Sequence, residues 1–299
     1  MALVECVPNF SEGRDPKVVE AIAAAIRAEG VRVLDVERDA DHHRCVITFL
    51  GSPEACVRAA FAGAKVAVER IDLNRHKGEH PRVGAVDVVP FIPVADTTME
   101  ECVQLARRLG ERLWKELRVP VYFYEAAATR DDRKNLEQIR KGQYELLKDE
   151  VRTKPERRPD LGDAALHPTA GATVVGARGP LIAYNINLAT ADLALAERIA
   201  KQIRASGGGF PAVKAKGFNI AEKGHVQVSM NLTDFRTTAM WKVFDAVHAE
   251  AAKAGVEVLG SEIVGLVPLE ALLDVAAHAV KLQGFQPHAQ VLELRMWER

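Results

Sequence analysis

Two hydrophobic periods alternate along this chain. Short β-branched and apolar runs at residues 3–7, 31–36, 44–50, 85–94 and 119–124 predict strands. Between them, apolar positions recur three and four residues apart, as at Val18, Val19, Ile22 and Ile26, which predicts helices with one buried face. The helix starts are marked chemically. Asp15 precedes Pro16, Ser52 precedes Pro53, and Thr97-Thr98-Met99-Glu100 reads as a capping box, so helices are expected over 15–30, 53–71 and 97–117. The polar tip Asp39-Ala40-Asp41 joins two strands as a hairpin, and a charged helix is expected at 135–147.

The second half repeats this order. A strand is expected at 181–188, a helix at 191–206, and hairpin strands at 213–220 and 225–232 around Glu222-Lys223-Gly224. A helix at 237–254, a strand at 256–264 and a last helix at 268–280 follow. The implied class is α+β, two ferredoxin-like (βαββαβ) subdomains over residues 1–178 and 179–299, with a substrate cleft between them. Residues 148–166, charged and proline-bearing, read as a surface connection, and Gly207-Gly208-Gly209 as a helix stop.

Composition narrows the function classes. The chain has 299 residues, 48% hydrophobic and 27% charged, ordinary for a soluble globular protein. A net charge of −1 supplies no field toward nucleic acid or acidic lipid, so neither is an expected partner. Cys6, Cys45, Cys56 and Cys102 form no C-x-x-C pair, which fits neither a zinc ribbon nor a disulfide framework. Glu5 and Pro8 come too early for a signal peptide, and no apolar run nears the ~18 residues of a membrane span, so a cytoplasmic protein is expected. Glycine-rich phosphate loops are absent too.

The densest chemistry lies in residues 74–84, Asn-Arg-His-Lys-Gly-Glu-His-Pro-Arg-Val-Gly. His76-Lys77-Gly78-Glu79-His80 matches the H-x-x-E-H pattern of inverted zinc hydrolases. Gly78 and Pro81 argue against the continuous helix that such a metal site needs, so no metal is expected. What remains is an imidazole, His80, among the cations Arg75, Lys77 and Arg82, equipment for acid–base chemistry on a carboxylate-bearing substrate. Arg44, Lys214 and Lys216 are further candidate carboxylate anchors. Asn185 and Asn187 share one face of an apolar strand, as ligand contacts or as a structural hydrogen-bond network. His42 and His43 read as polar filler on an exposed turn.

Val4-Glu-Cys-Val-Pro-Asn-Phe-Ser-Glu-Gly13, Arg75-His-Lys-Gly-Glu-His-Pro-Arg82, Val89-Pro-Phe-Ile-Pro-Val94, Gly171-Ala-Thr-Val174, Leu181-Ile-Ala-Tyr-Asn-Ile-Asn-Leu188 and Gly265-Leu-Val-Pro-Leu269 together resemble glutamate formiminotransferase. That family includes the amino-terminal module of formiminotransferase-cyclodeaminase, whose cyclodeaminase module has no counterpart in these residues, so one activity is expected. The resemblance implies transfer of the formimino group of N-formimino-L-glutamate to N5 of tetrahydrofolate, a co-substrate that can be polyglutamylated, and a homodimer. It places the catalytic histidine on His80 and an acidic partner on Glu37, where the family pattern has aspartate. It places the folate contact on Gly162, Asp163, Ala164, Ala165, Leu166, His167, Pro168, Thr169, Ala170 and Gly171, with 166–170 departing from the family pattern. Transfer of a formyl group is the alternative within the class. A non-catalytic folate-binding protein and a zinc hydrolase are the alternatives outside it.

Overall fold

A seven-stranded sheet organises the first half of the chain. Strands β1 (Leu3–Cys6) and β2 (Asn9–Phe10) are one line of chain interrupted around Pro8. Both lie antiparallel between β4 (Arg44–Gly51) and β5 (Val86–Ala95), with β3 (Arg32–Asp39) outside β4. Helices α1 (Pro16–Arg27), α2 (Pro53–Arg70) and α3 (Met99–Leu117) pack on this sheet. They bury Ile22, Ile26 and Leu109 with Phe10, Phe49, Phe91 and Phe123, all fully inaccessible. Truncating one such phenylalanine costs about 3–5 kcal/mol.

Beyond β5 the sheet continues in parallel. Strand β6 (Val121–Glu125), helices α4 (Leu136–Arg140) and α5 (Gln143–Thr153), and strand β7 (Thr173–Ala177) follow α3, and β7 inserts between β5 and β6. The sequence pattern did not predict β7. Its residues are all buried, so it lacks the alternation that marks a half-exposed strand. A second, smaller core of Val88, Tyr122, Tyr124, Ile139 and Leu147 lies under α4 and α5.

Three expectations are corrected here. The capping box is Thr98 with Glu101, one residue later than expected, because Thr97 instead donates its hydroxyl to the Ala95 carbonyl. The helix at 135–147 is two helices, broken where Gly142 takes a positive φ of 79°. The surface connection at 148–166 begins as the rest of α5, whose stripe of Tyr144, Leu147 and Val151 is buried. Further along that segment, Asp160 is paired with Arg133 at 2.5 Å, the two side chains only 7% and 4% exposed.

The second half has a four-stranded antiparallel sheet in the order β11-β8-β10-β9. The elements run β8 (Ile182–Leu188), α6 (Leu193–Ile203), β9 (Val213–Ile220), β10 (His225–Leu232), α7 (Met240–Lys253) and β11 (Val258–Val264), then α8 (Leu269–Ala279), α9 (Pro287–Gln290) and α10 (Leu292–Trp297). On β8, Ile182, Tyr184, Ile186 and Leu188 enter the core with α6 and α7, while Asn185 and Asn187 alternate onto the other face. Gly208, at φ 84°, ends the turn after α6.

The computed structural model describes residues 1–220 and 223–297, so Ala221 and Glu222 of the expected hairpin tip lie outside the described residues. The chain divides into two units, residues 1–179 and 180–299. No helix among the described residues is long and apolar enough to cross a membrane.

Candidate functional site

The loop between α2 and β5 is irregular, and three neighbours hold it in place. Gly171 bridges Gly84, the Leu73 N–H donates to the Thr169 carbonyl at 2.8 Å, and the Ala85 N–H donates to the Ala170 carbonyl at 2.9 Å. Asn74 adds a bond from Nδ2 to the Pro168 carbonyl at 2.9 Å. The end of the expected folate stretch is therefore stitched to the loop that carries His80. His167 closes its own turn, Nδ1 accepting from the Ala170 N–H at 3.0 Å, and burial lowers its pKa. Asp163 and Pro168 are exposed, whereas Ala164, Ala165, Leu166 and Thr169 are half-buried.

The hairpin tip between β3 and β4 clamps the loop from the other side. A Cβ on Gly78 would stand 2.4 Å from the His42 carbonyl oxygen, so only glycine permits this approach. His43 and His76 stack at 4.1 Å and are cross-tied. His43 Nδ1 donates to the Lys77 carbonyl at 3.0 Å, and His76 Nε2 donates to the His43 carbonyl at 2.9 Å. His43 Nε2 meets Glu12 at 3.2 Å, a carboxylate already accepting from the backbone N–H groups of Arg14 and Asp15. His43 is thus no polar filler; it joins Glu12 to the loop.

Arg82 does not anchor substrate. It is 5% exposed, and all five of its N–H donors are spent: Nε on His76 Nδ1, Nη1 on Gln143 and Glu145, Nη2 on Glu145 and the His76 carbonyl. A guanidinium with five protein partners has nothing left for a ligand carboxylate. His76 is occupied at both nitrogens by the same network, and its pKa is lowered, mostly by burial. The H-x-x-E-H segment forms no helix, so its two histidines do not line one helical face as the zinc reading requires.

His80 is half-buried, and its Nε2 accepts a hydrogen bond from Arg44 Nη1 at 3.2 Å. A guanidinium only donates, so the Nε2 lone pair is the acceptor and a neutral ring carries its proton on Nδ1. Burial, then the charges of Arg140 and Arg44, pull the His80 pKa down to about 2. Arg44 also donates to Asn9 Oδ1 at 3.4 Å, and the charge of Glu37 acts on it favourably from the neighbouring strand. Glu37 pairs with Val46 across β3 and β4, two residues from Arg44 on the same strand face.

Arg140, whose charge acts on His80, and its partner Asp87 escaped the sequence reading. Asp87, its side chain 2% exposed, is ion-paired with Arg140 from the end of α4 and accepts from the Val83 N–H at 2.8 Å. The only signal was a lone carboxylate inside the apolar run at 85–94. Arg75 and Lys77, by contrast, are exposed, Arg75 lying 3.7 Å from Asp72.

The remaining expected residues belong to the second unit. Strand register sets Lys216, Ser229, Asn185 and Glu262 in one row across the sheet face away from the core, and Lys214 in the next row but one from Asn187 on that face. Asn185 Nδ2 donates to Glu262 at 3.2 Å, and Gln227 Nε2 bridges Asn187 Oδ1 and Glu262, both at 2.9 Å. Gln227 and Glu262 were the missed members of this network. No group of three or more His, Cys, Asp and Glu suited to a metal occurs among the described residues.

Known proteins match this chain over nearly its whole length. Residues 3–178 match the formiminotransferase domain, N-terminal subdomain, and residues 183–292 match the formiminotransferase domain. The chain is 49% identical to glutamate formimidoyltransferase of Thermoplasma acidophilum, covering 99% of this chain and 98% of that protein. It is 44% identical to glutamate formimidoyltransferase of Streptococcus pyogenes serotype M1, covering 97% of each. Against formimidoyltransferase-cyclodeaminase of Gallus gallus it is 48% identical over 93% of this chain and 52% of that longer protein. With both of its units matched by the family's own domains, this chain belongs to the formiminotransferase family.

Proposed function

We infer that this chain is a glutamate formimidoyltransferase, moving the formimino group of N-formimino-L-glutamate to N5 of tetrahydrofolate and releasing L-glutamate. The observation that carries this reading is near full-length similarity to two proteins of that name. The reaction needs one proton moved twice. As N5 attacks the amidine carbon, a tetrahedral intermediate with three nitrogens forms; the attacking nitrogen loses a proton and the departing glutamate nitrogen gains one. We assign His80, neutral and with its lone pair on Nε2, the role of taking the first proton and returning it. Glu37 supports the Arg44 charge beside it.

We assign folate contact to Gly162, Asp163, Ala164, Ala165, Leu166, His167, Pro168, Thr169, Ala170 and Gly171, a stretch whose last four residues are bonded to the His80 loop. Exposed Arg75 and Lys77 suit the carboxylates of a polyglutamate tail, and Asn185 and Asn187 a second set of substrate contacts. The same proposal includes a ferredoxin-like character for each unit, formiminotransferase subdomains at 1–178 and 179–299 with a substrate cleft between them, a homodimer and a cytoplasmic setting. Strand order β11-β8-β10-β9 with element order βαββαβ supports the fold assignment in the second unit. The test is turnover of tetrahydrofolate with formiminoglutamate against formylglutamate, read by absorbance of the folate product. Formimino transfer well above formyl transfer is expected; the reverse would reassign the donor, and no turnover with either would remove the activity.

A further inference from the structure

We propose that Arg140, aimed by Asp87, joins Arg44 in a seat for the α-carboxylate of the amino-acid donor beside His80, and that filling this seat offsets the cations around the imidazole and readies it for catalysis. The proposal rests on the formimino-transfer reading and names two residues that reading does not use.

The seat originates in a strand irregularity. Asn9 pairs with Val88 and Phe10 with Val86, so Asp87 is the extra residue of a bulge in β5. Bulges re-aim side chains next to functional sites. Here the bulged carboxylate is buried, tied to the Val83 N–H in the His80 loop, and ion-paired with Arg140. Arg140 ends α4, so an element added beyond the antiparallel part of the sheet delivers its charge to the neighbourhood of His80 and Arg44.

Both arginines hold donors in reserve. The Nε of Arg44 and the Nε of Arg140 are buried with no hydrogen-bond partner among the described residues. Protein bonds to Arg44 use only Nη1, leaving its Nε–Nη2 edge, the pair that grips a carboxylate through parallel N–H groups. Buried unspent donors are costly, and a ligand that completes them would recover that cost. Arg82 shows the contrast: its five N–H donors are all engaged by the protein.

The donor's own covalent structure selects which carboxylate fits. In formiminoglutamate the amidine carbon is bonded to nitrogen, nitrogen to Cα, and Cα to the α-carboxylate. A carboxylate three bonds from the reacting carbon must sit near the base that serves that carbon. The folate's glutamyl carboxylates lie beyond the aminobenzoyl ring, far from N5.

Occupancy would also change the base. The charged and titratable groups around His80 are Arg44 with Glu37 and Asp39 from the hairpin, His42 at its tip, His76 in the loop, and Arg140 with Asp87 from α4 and β5. An arriving carboxylate offsets the charges of the two arginines that act on His80. The imidazole then becomes more basic at the moment a proton must be taken.

The test uses the intact chain, with Arg140→Gln, Arg140→Lys and Asp87→Asn. Arg140→Gln is expected to raise KM for formiminoglutamate about 10–100-fold, the worth of one charge-assisted pair, with KM for tetrahydrofolate unchanged. Arg140→Lys keeps the charge and should fall between. In parallel, NMR of histidine-labelled wild-type protein titrated with L-glutamate should show the His80 imidazole pKa rising on binding, and Arg140→Gln should lose that response. An unchanged donor KM in Arg140→Gln, a rise confined to the folate KM, or a His80 resonance indifferent to L-glutamate overturns the proposal. The L-glutamate titration needs no turnover, so it decides the seat even if formimino transfer itself fails or a variant does not fold.

Discussion

The two units share a βαββαβ element order but handle charge differently. In the first, the extension β5-β7-β6 and the helices α4 and α5 cover charged side chains, so Asp87, Arg82, Arg133 and Asp160 are all nearly inaccessible. In the second, the sheet face away from the core carries Asn185, Asn187, Gln227 and Glu262 bonded to one another, and ion pairs such as Arg236–Glu270 are exposed. The difference teaches where a neutral histidine beside two arginines can be built. Desolvation and fixed cations lower a histidine pKa only where added structure excludes water.

The comparison is broken or sharpened by a graded series. His80→Ala should lower turnover ~100–10,000-fold, the usual worth of one general acid–base, with folate still bound; near-normal turnover would move the chemistry elsewhere. In urea unfolding, Asp160→Ala should cost about 3–5 kcal/mol, because it strands the buried Arg133 charge. Gly78→Ala should cost about 1–3 kcal/mol and reduce turnover, since its Cβ would stand 2.4 Å from the His42 carbonyl oxygen.

The pH response follows from the lowered His80 pKa, about 2 against an ordinary 6.5. Below about pH 6.5 the unfolded chain takes a proton that the folded His80 refuses, so stability present above that pH is lost as pH falls. Comparing wild type with His80→Gln from pH 6.5 to 5 should show roughly 1 kcal/mol less pH-dependent loss per unit in the variant; parallel curves would mean His80 titrates normally. Smallest of all, Arg236→Ala in the second unit should change stability by no more than about 1 kcal/mol, as for an exposed pair. A larger loss there would erase the contrast between the units.

Much of this was legible in order along the chain. The apolar periods located most helices and strands, and Pro16, Pro53 and the threonines before Met99 marked helix starts within a residue. In the loop at 74–84, Gly78 and Pro81 correctly opposed a helix. Illegible were β7, whose uniform burial leaves no period to read, and the division of labour among the arginines. Arg82 sits in the motif yet faces inward, while Arg140, one of several charges in the helix expected at 135–147, pairs with Asp87 and acts on His80.

What the sequence determined by itself was local: period, caps, turn residues, and the concentration of titratable groups around His80. Those signals depend on neighbours three or four residues apart, so they survive in a linear reading. Only the tertiary structure decided which groups lose water and which partners they meet. The bulge at Asp87 depends on pairing with Asn9 and Phe10, some 77 residues earlier in the chain, and the His80 environment on strands, a hairpin tip and α4 converging. Charge, desolvation and hydrogen-bond supply are set by such distant contacts, and they keep the His80 imidazole neutral.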